Sequence, residues 1–598
     1  MNNMNKLVVA IAFAMYGPQM AKAEGVLDFA EEAKKLDAIS VEADYIGEEQ
    51  SSIKVDAVVK DVPFSLSNYT SEFMDQIDAN RLGDVYQYMT GISRSGKGGY
   101  AISIRGFQTL GSDRNGVLVD GLPGVAGRSG SPPTAGVDRV EVFRGPASVL
   151  YGSASPGGFV NLITKKPQEL SHKVIELRAN TYAGSGFSFG KKNGYDALVD
   201  MTGPIDDERR FLYRVVGQYY DNESFRDDVS DKAMYLSPSL SWLVSDYTSL
   251  RLSYEYHDEE SSYDDYLVAP NNDLGQIAPI NTRYQDPDDM ALETSKTWNI
   301  ALEHEFSEHV KFNLNMRQVS SVEDGKYKAN NAIRADQLSL QRVDRHLVNT
   351  REFRFLDASL NLSLMTGAME HKILVGVTGG KETSDFDRRQ FYNPPARPNP
   401  LSLDVDIYDP IVGIPVDVPV RQNSQRHSDI DVASIYFSDH ITLTEKWKAM
   451  LGIRYDKETV DAFDKRGLTE PSAKEADQVS PMAGLVYQPN ENWSFYGSYT
   501  TSFRPPSVTA LDIDGVNSFD PETGNQIEVG AKLDIADGRA TTTLSLYQLT
   551  RENGIVRAPA PGPFGNYQVQ VGESQSNPLD WDSPTCAWSF RKLSGAGG

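Results

Sequence analysis

Three stretches decide the fold: ISIRGF at Ile102–Phe107, VLVDGLPG at Val117–Gly124, and DRVEVFRGPASVLYGSASPGGFVNLITKKP at Asp138–Pro167. Val117–Val119 is a β-branched run, and Asp120-Gly121 behind it is a type I′ hairpin signal. In Gly145–Gly152, Pro146 stands at a helix start and Gly152 at its end, which predicts a helix of one or two turns. Gly157-Gly158 then permits close backbone packing ahead of a strand at Phe159–Thr164. Upstream, Leu82, Val85, Tyr86 and Met89 fall on one helix face and Gly91 is a stop signal; Ala101–Arg105 reads as a strand. Residues 55–167 therefore read as one compact α+β unit.

After about Gln168 the hydrophobic period changes to two. Leu250, Leu252, Tyr254 and Tyr256 alternate with Arg251, Ser253 and Glu255; Val310, Phe312, Leu314 and Met316 alternate with Lys311, Asn313 and Asn315. The same pattern recurs at Trp298–Glu303, Ala449–Tyr455, Phe495–Phe503, Val529–Leu533 and Leu544–Leu549. Polar insertions of tens of residues, as at His257–Asp289 and Thr383–Ser428, alternate with tight turns such as Gly203–Asp207. Long loops on one rim and short turns on the other describe a transmembrane antiparallel barrel, and closure is required because open sheet edges are not tolerated in hydrocarbon. With 39% hydrophobic residues, and no run of 18 apolar residues beyond the N-terminus, helical spans are excluded.

The three opening stretches, in this order over 66 residues, resemble the plug domain of TonB-dependent outer-membrane receptors, and among them the ferric-siderophore receptors of the hydroxamate, ferrichrome-type variety. The resemblance implies a barrel of about 22 strands around an N-terminal plug. Residues 1–23 read as a secretory signal: Lys6, the apolar run Leu7–Met15, and Ala21-Lys22-Ala23 as cleavage site. Residues 24–54 then form a periplasmic leader, 55–167 the plug and 168–573 the barrel. On the leader, Asp37, Ala38, Ile39, Ser40, Val41, Glu42 and Ala43 resemble the TonB box, an exposed segment able to add itself to a partner's sheet edge. Only residues 24–36 precede the box, which leaves no room for an additional signalling domain, so a plain transporter is expected.

From Ser574 the alternation stops, and residues 574–598 read as an aberrant tail with the chain's one cysteine, Cys586. With 431 residues after Pro167, about six strands of the family barrel are expected to be missing, as from a shifted reading frame or a damaged gene end, so that the sheet is expected not to close.

The resemblance assigns Arg105 and Arg144 to a cluster that locks plug to barrel, with Glu528 as one acidic partner and the second expected in the strand after Asn566–Glu573. It places ligand contacts on plug loops at Lys97, Tyr100, Gly111, Ser112, Arg114, Arg128 and Ser129, where cationic, aromatic and polar groups suit an anionic, ring-bearing chelate. It implies partnership with TonB and the inner-membrane proteins ExbB and ExbD, a bed of outer-membrane lipid and lipopolysaccharide, and a monomer.

No catalytic arrangement stands out, so an enzyme is not expected. His304–His309 has HExxxH spacing across a strand–turn–strand, whereas a zincin needs HExxH on one helix face. No resident cofactor or metal is expected, because iron arrives as its chelate. The net charge of −25, −27 without the signal segment, argues against nucleic acid. The sequence thus predicts TonB-dependent uptake of a ferric siderophore. Import of cobalamin or another chelate, and a non-functional truncated receptor, stand as alternatives.

Overall fold

The computed structural model describes residues 54, 57–95, 99–109, 116–125, 127, 130–182, 192–392, 403–413, 421–467, 472–507, 510, 512–514, 517–535, 540–558, 567–576 and 579–582. The expected signal segment, the box at Asp37–Ala43, and Lys97, Gly111, Ser112, Arg114, Arg128 and Ser129 lie outside the described residues, as do residues 583–598.

The inner unit has strands β1 (Leu66–Thr70), β2 (Ile92–Arg94), β3 (Ile102–Ile104), β4 (Phe107–Thr109), β5 (Val117–Val119), β6 (Leu122–Pro123), β7 (Val137–Arg144) and β8 (Gly158–Thr164). Its short helices are α1 (Ser71–Gln76), α2 (Leu82–Val85) and α3 (Ser148–Tyr151). The main sheet runs β1-β7-β8-β5-β6, and β2-β3-β4 form a smaller one. Asp120 and Gly121 have φ of 49° and 79°, the two positive values that a type I′ turn requires, and Val119 pairs with Leu122 across it. Leu82, Val85, Tyr86 and Met89 are all buried in one cluster with Ile102, Val140 and Val160. A second cluster on the other side of the sheet stacks Phe143 on Phe159 at 4.7 Å and takes in Leu374, Tyr436, Met450 and Met482 of the surrounding wall.

The wall begins with β9 (His172–Thr181), β10 (Asn193–Pro204), β11 (Phe211–Glu223), β12 (Ser230–Ser245), β13 (Thr248–Ser262) and β14 (Met290–Ser307). It continues through β15 (Val310–Ile333), β16 (Ser339–Thr366), β17 (Met369–Tyr392), the two-residue β18 (Val405–Asp406), β19 (Arg421–Thr444) and β20 (Trp447–Asp464). It ends with β21 (Ser472–Tyr487), β22 (Trp493–Arg504), β23 (Glu522–Ile535), β24 (Ala540–Arg557), β25 (Gln568–Ser576) and β26 (Leu579–Asp582). Register, not burial, sorts the faces. Leu252 pairs with Ile300, Ile300 with Met316 and Met316 with Leu356, so apolar residues form a continuous outward belt. Leu252, Ile300 and Met316 are about two-fifths exposed in the absence of lipid. Near the short-turn rim Phe211 stacks on Trp242, Trp447 packs on Tyr487 and Trp493 on Phe495, an aromatic girdle of the kind that marks the membrane–water boundary. Among the described residues no helix is long and apolar enough to cross a membrane.

Two sequence expectations are corrected here. Strand structure does not stop at Ser574: β25 runs to Ser576, and β26 pairs with β24 through Leu546↔Leu579, Ser545↔Asp580, Leu544↔Trp581 and Thr543↔Asp582. Together they lie along one strand, β24, interrupted between residues 576 and 579. The expected open sheet is also overturned, since β26 is bonded onward to β9 and the sheet closes. Leu-Asp-Trp-Asp does keep a period of two, but four residues are too few for periodicity to register in the sequence.

Candidate functional site

The inner unit and the wall meet at Arg105. This residue follows β3 and holds φ at 52°, a left-handed conformation that turns its side chain away from the small sheet into the wall. The guanidinium is wholly buried. Its Nε donates to Asp580 Oδ2 at 2.8 Å, and its terminal nitrogens donate to Glu528 Oε2 at 2.7 Å, Gln526 Oε1 at 2.8 Å and Ser545 Oγ at 3.3 Å. The ring of Tyr547 lies 3.7 Å from the guanidinium carbon. Glu528 is itself held by the Tyr496 hydroxyl and by Gln526 Nε2. A buried charge is tolerated only when its partners and hydrogen bonds are complete, and this one has two carboxylates.

Gln526 and Glu528 are two residues apart on β23 and so face the lumen together, a placement legible in the sequence. Asp580, which sequence reasoning missed, reaches the same point from β26 inside the stretch expected to be aberrant. Arg144 lies beside Arg105: its Nε donates to the Thr90 carbonyl at 2.9 Å and a terminal nitrogen to Ser67 Oγ at 2.6 Å. Its own carbonyl accepts from Arg105 at 3.3 Å. Arg105 and Glu528 are brought into direct contact, while Arg144 supports Arg105 from behind.

A second contact was absent from the sequence reading. Lys54 Nζ donates to Asp357 Oδ2 of β16 at 2.8 Å and lies 4.5 Å from the Tyr436 ring centre. Burial pushes the Lys54 ammonium below its usual pKa, and Asp357 opposes that shift. Asp357 also accepts from Thr378 Oγ1 and the Tyr436 hydroxyl. Lys54→Met is therefore expected to loosen this end of the plug by about 1–2 kcal/mol, since two donors to the carboxylate persist. Earlier protease cleavage near residue 54, with an unchanged barrel, is the readout.

Tyr100 is buried at 3% exposure, and its hydroxyl donates to Glu293 of β14 at 2.5 Å. Burial, then the adjacent Glu293 charge, pushes the phenol pKa well up. The structure thus gives this expected ligand contact a bond to the wall. Arg81 adds links to Asp231 at 3.0 Å and Glu259 at 3.2 Å. At the short-turn rim the plug and wall part around a cavity of about 550 Å³ lined by Lys54, Asp120, Arg139, Lys166, Glu303 and Lys311. The interface there is thus lined by charged groups of both signs. His304 lies in β14 and His309 in the turn that leads to β15, and among the described residues no group of His, Cys, Asp and Glu is placed to hold a metal.

Comparison with known proteins agrees with this architecture. Residues 58–159 match the TonB-dependent receptor plug domain, and residues 236–590 match the TonB-dependent receptor-like beta-barrel. The chain is 30% identical over 543 residues to the metal-pseudopaline receptor CntO of Pseudomonas aeruginosa, covering 89% of this chain and 72% of that protein. It is 27% identical over 578 residues to the ferrioxamine B receptor of Salmonella typhimurium, covering 93% and 76%. Similarity to the ferrichrome outer membrane transporter/phage receptor of Escherichia coli is 25% over 567 residues, covering 88% and 72%. The crystal structure of the siderophore receptor PiuA from Acinetobacter baumannii superposes with a TM-score of 0.77 at 20% identity, over 90% of this chain and 79% of that one. A plug pinned inside a closed, lipid-belted barrel by a buried arginine, together with matches to both domain models and these relatives, makes the chain a member of the TonB-dependent receptor family.

Proposed function

We propose that this receptor imports a ferric siderophore across the Gram-negative outer membrane, drawing on TonB through Asp37–Ala43. The observation that carries the reading is the plug seated in the barrel by discrete polar contacts, of which the Arg105 node is the largest. The names of the relatives support the ligand class. Similarity to the metal-pseudopaline receptor favours, as a second reading, a chelate of another chemistry. The protein does no bond chemistry in this scheme: the siderophore satisfies the metal, and the chain binds, holds and releases the chelate. The polar short-turn rim faces the periplasm, lipid and lipopolysaccharide surround the belt, ExbB and ExbD energise TonB, and one chain forms the working unit.

The order of events follows from connectivity. Tension on the leader reaches Lys54 first and then β1, which among the described residues is an edge strand of its sheet, paired with β7 over five residue pairs. An edge strand is removed by breaking one ladder, whereas β7 and β8 are held on both sides. The plug therefore opens from its N-terminus, with the Arg105 node resisting last. Binding above biases the leader toward the form TonB engages, because a ligand shifts an equilibrium by its differential affinity for the two states.

Ile39→Pro tests the reading. Proline removes a ladder donor from a segment that must pair as a strand, so ligand binding to intact cells is expected to persist while energised uptake falls at least about tenfold. Undiminished uptake, or uptake that survives loss of TonB, would overturn it.

A further inference from the structure

Between Lys54 and β1 the chain makes a 3-10 turn at Val59–Asp61, and the wall holds that turn by its main chain. Lys532 of β23, 5% exposed, donates from Nζ to the Val59 carbonyl at 2.6 Å and to the Val62 carbonyl at 2.7 Å. Ser494 Oγ of β22 donates to the Lys60 carbonyl at 2.7 Å, where Gln488 Nε2 adds a bond at 3.3 Å. His440 Nε2 of β19 lies 3.2 Å from the Asp61 carbonyl. Four consecutive carbonyls thus meet wall side chains drawn from three strands and one turn. The Asp61 carboxylate adds a pair with Lys448 at 2.5 Å and accepts from Gln488 at 2.9 Å. Just beyond the turn, a Cβ on Gly484 of β21 would overlap the Pro63 ring, so the wall is also hollowed to admit this segment.

Lys532 is the costly member of this set. A buried ammonium is expensive to desolvate, and an apolar side chain of similar size would serve the barrel alone better. Among the described residues its partners are the two plug carbonyls and the face of Tyr496, 5.2 Å away at the ring centre, and not a carboxylate of the wall. The charge is therefore of use only while residues 59–62 are in place. Charge-assisted bonds are roughly twice as strong as neutral ones, and one ammonium joins both ends of the turn. Peeling from the leader side loads the Val59 bond first, and the shared ammonium passes the load to Val62, so the turn has to leave as a unit. Such a grip reads no side chain at position 60: that of Lys60 lies instead toward Asp534, at 4.0 Å.

We propose that Lys532, Ser494, Gln488 and His440 form a main-chain clasp on residues 59–62 that sets the tension at which the plug starts to leave. Lys532 is a positioning residue in this scheme. It acts through the turn it holds, before β1 is reached and apart from the Arg105 node. The inference rests on the import reading only for the leader's being pulled in the cell.

The test pulls the full chain, folded in lipid nanodiscs, by a tag at the start of the leader, so that no TonB is needed. Lys532→Met is expected to speed the first rupture at a fixed load by at least about tenfold, with Lys532→Arg between it and the parent and the later rupture of the Arg105 node unchanged. Ser494→Ala should speed the first rupture by about threefold, and Lys60→Ala should leave it as in the parent. Equilibrium binding of ferrichrome, ferrioxamine B and ferric citrate should be the same in all four variants, which a general loosening of the plug would not allow. A first rupture unchanged in Lys532→Met, or one that Lys60→Ala speeds as much, overturns the clasp. Should Lys532→Met fail to shift on heating in a gel, Ser494→Ala decides, and an unchanged first rupture there overturns the clasp. Faster rupture in a receptor without TonB-dependent uptake of any of these chelates upholds the clasp and sinks the import reading. TonB-dependent uptake with a rupture that Lys532→Met leaves unchanged does the opposite.

Discussion

Arg105→Ala is expected to free the plug while leaving the barrel folded. The substitution strands Glu528 and Asp580 as buried carboxylates that have lost their common cation, and removes the cation from the face of Tyr547. Breaking a buried pair by deleting one partner costs about 3–5 kcal/mol, more than deleting both, because the remaining charge has nowhere to go. Cells carrying the variant should therefore admit large hydrophilic antibiotics that the intact receptor excludes, and the purified protein should lose its plug to limited proteolysis. Adding Glu528→Gln to Arg105→Ala should recover part of the loss, since it replaces one stranded charge with a neutral amide. A plug as protease-resistant as that of the parent would show that the apolar clusters alone retain it.

Gly158→Ala should unfold the plug itself. Gly158 has φ of 120°, and a Cβ there would lie 2.0 Å from the Phe143 carbonyl oxygen and 3.2 Å from the Gly145 nitrogen. Both are backbone atoms of the β7 connection and cannot turn aside as a side chain would. The conformation alone costs an L residue about 1–3 kcal/mol, and the overlap forces β8 away from β7 where Phe143 stacks on Phe159. A loss of about 3 kcal/mol or more is expected. It would be read as a plug cleaved by protease inside a barrel that still shifts on heating, and a plug that resists cleavage would refute the account.

The two substitutions probe different layers of what the sequence contains. Gly157-Gly158 is legible as a demand for close backbone approach, and Asp120-Gly121 as a tight hairpin, because each depends on torsions of adjacent residues. The helix face at Leu82–Met89 and the outward stripes of β13 to β15 are legible for a similar reason, a short period repeated over enough residues to stand out. The resemblance in Ile102–Pro167 added the plug, its barrel and the pairing of Arg105 with Glu528.

The completion of the site lay beyond this. Asp580 belongs to a four-residue strand after an interruption, and nothing local distinguishes it from a residue in an irregular tail; it matters because β24 holds it opposite Ser545. Lys54 looks like any lysine of a polar leader until Asp357, 303 residues away, is brought to it.

The sequence by itself determined the two layers, the hairpins and the inward or outward sense of each strand, because these follow from alternation and backbone torsion between near neighbours. Tertiary structure alone decided which charges meet. Coulombic partners are chosen by distance in space, and in a barrel that distance is set by the stagger of strands far apart in the chain.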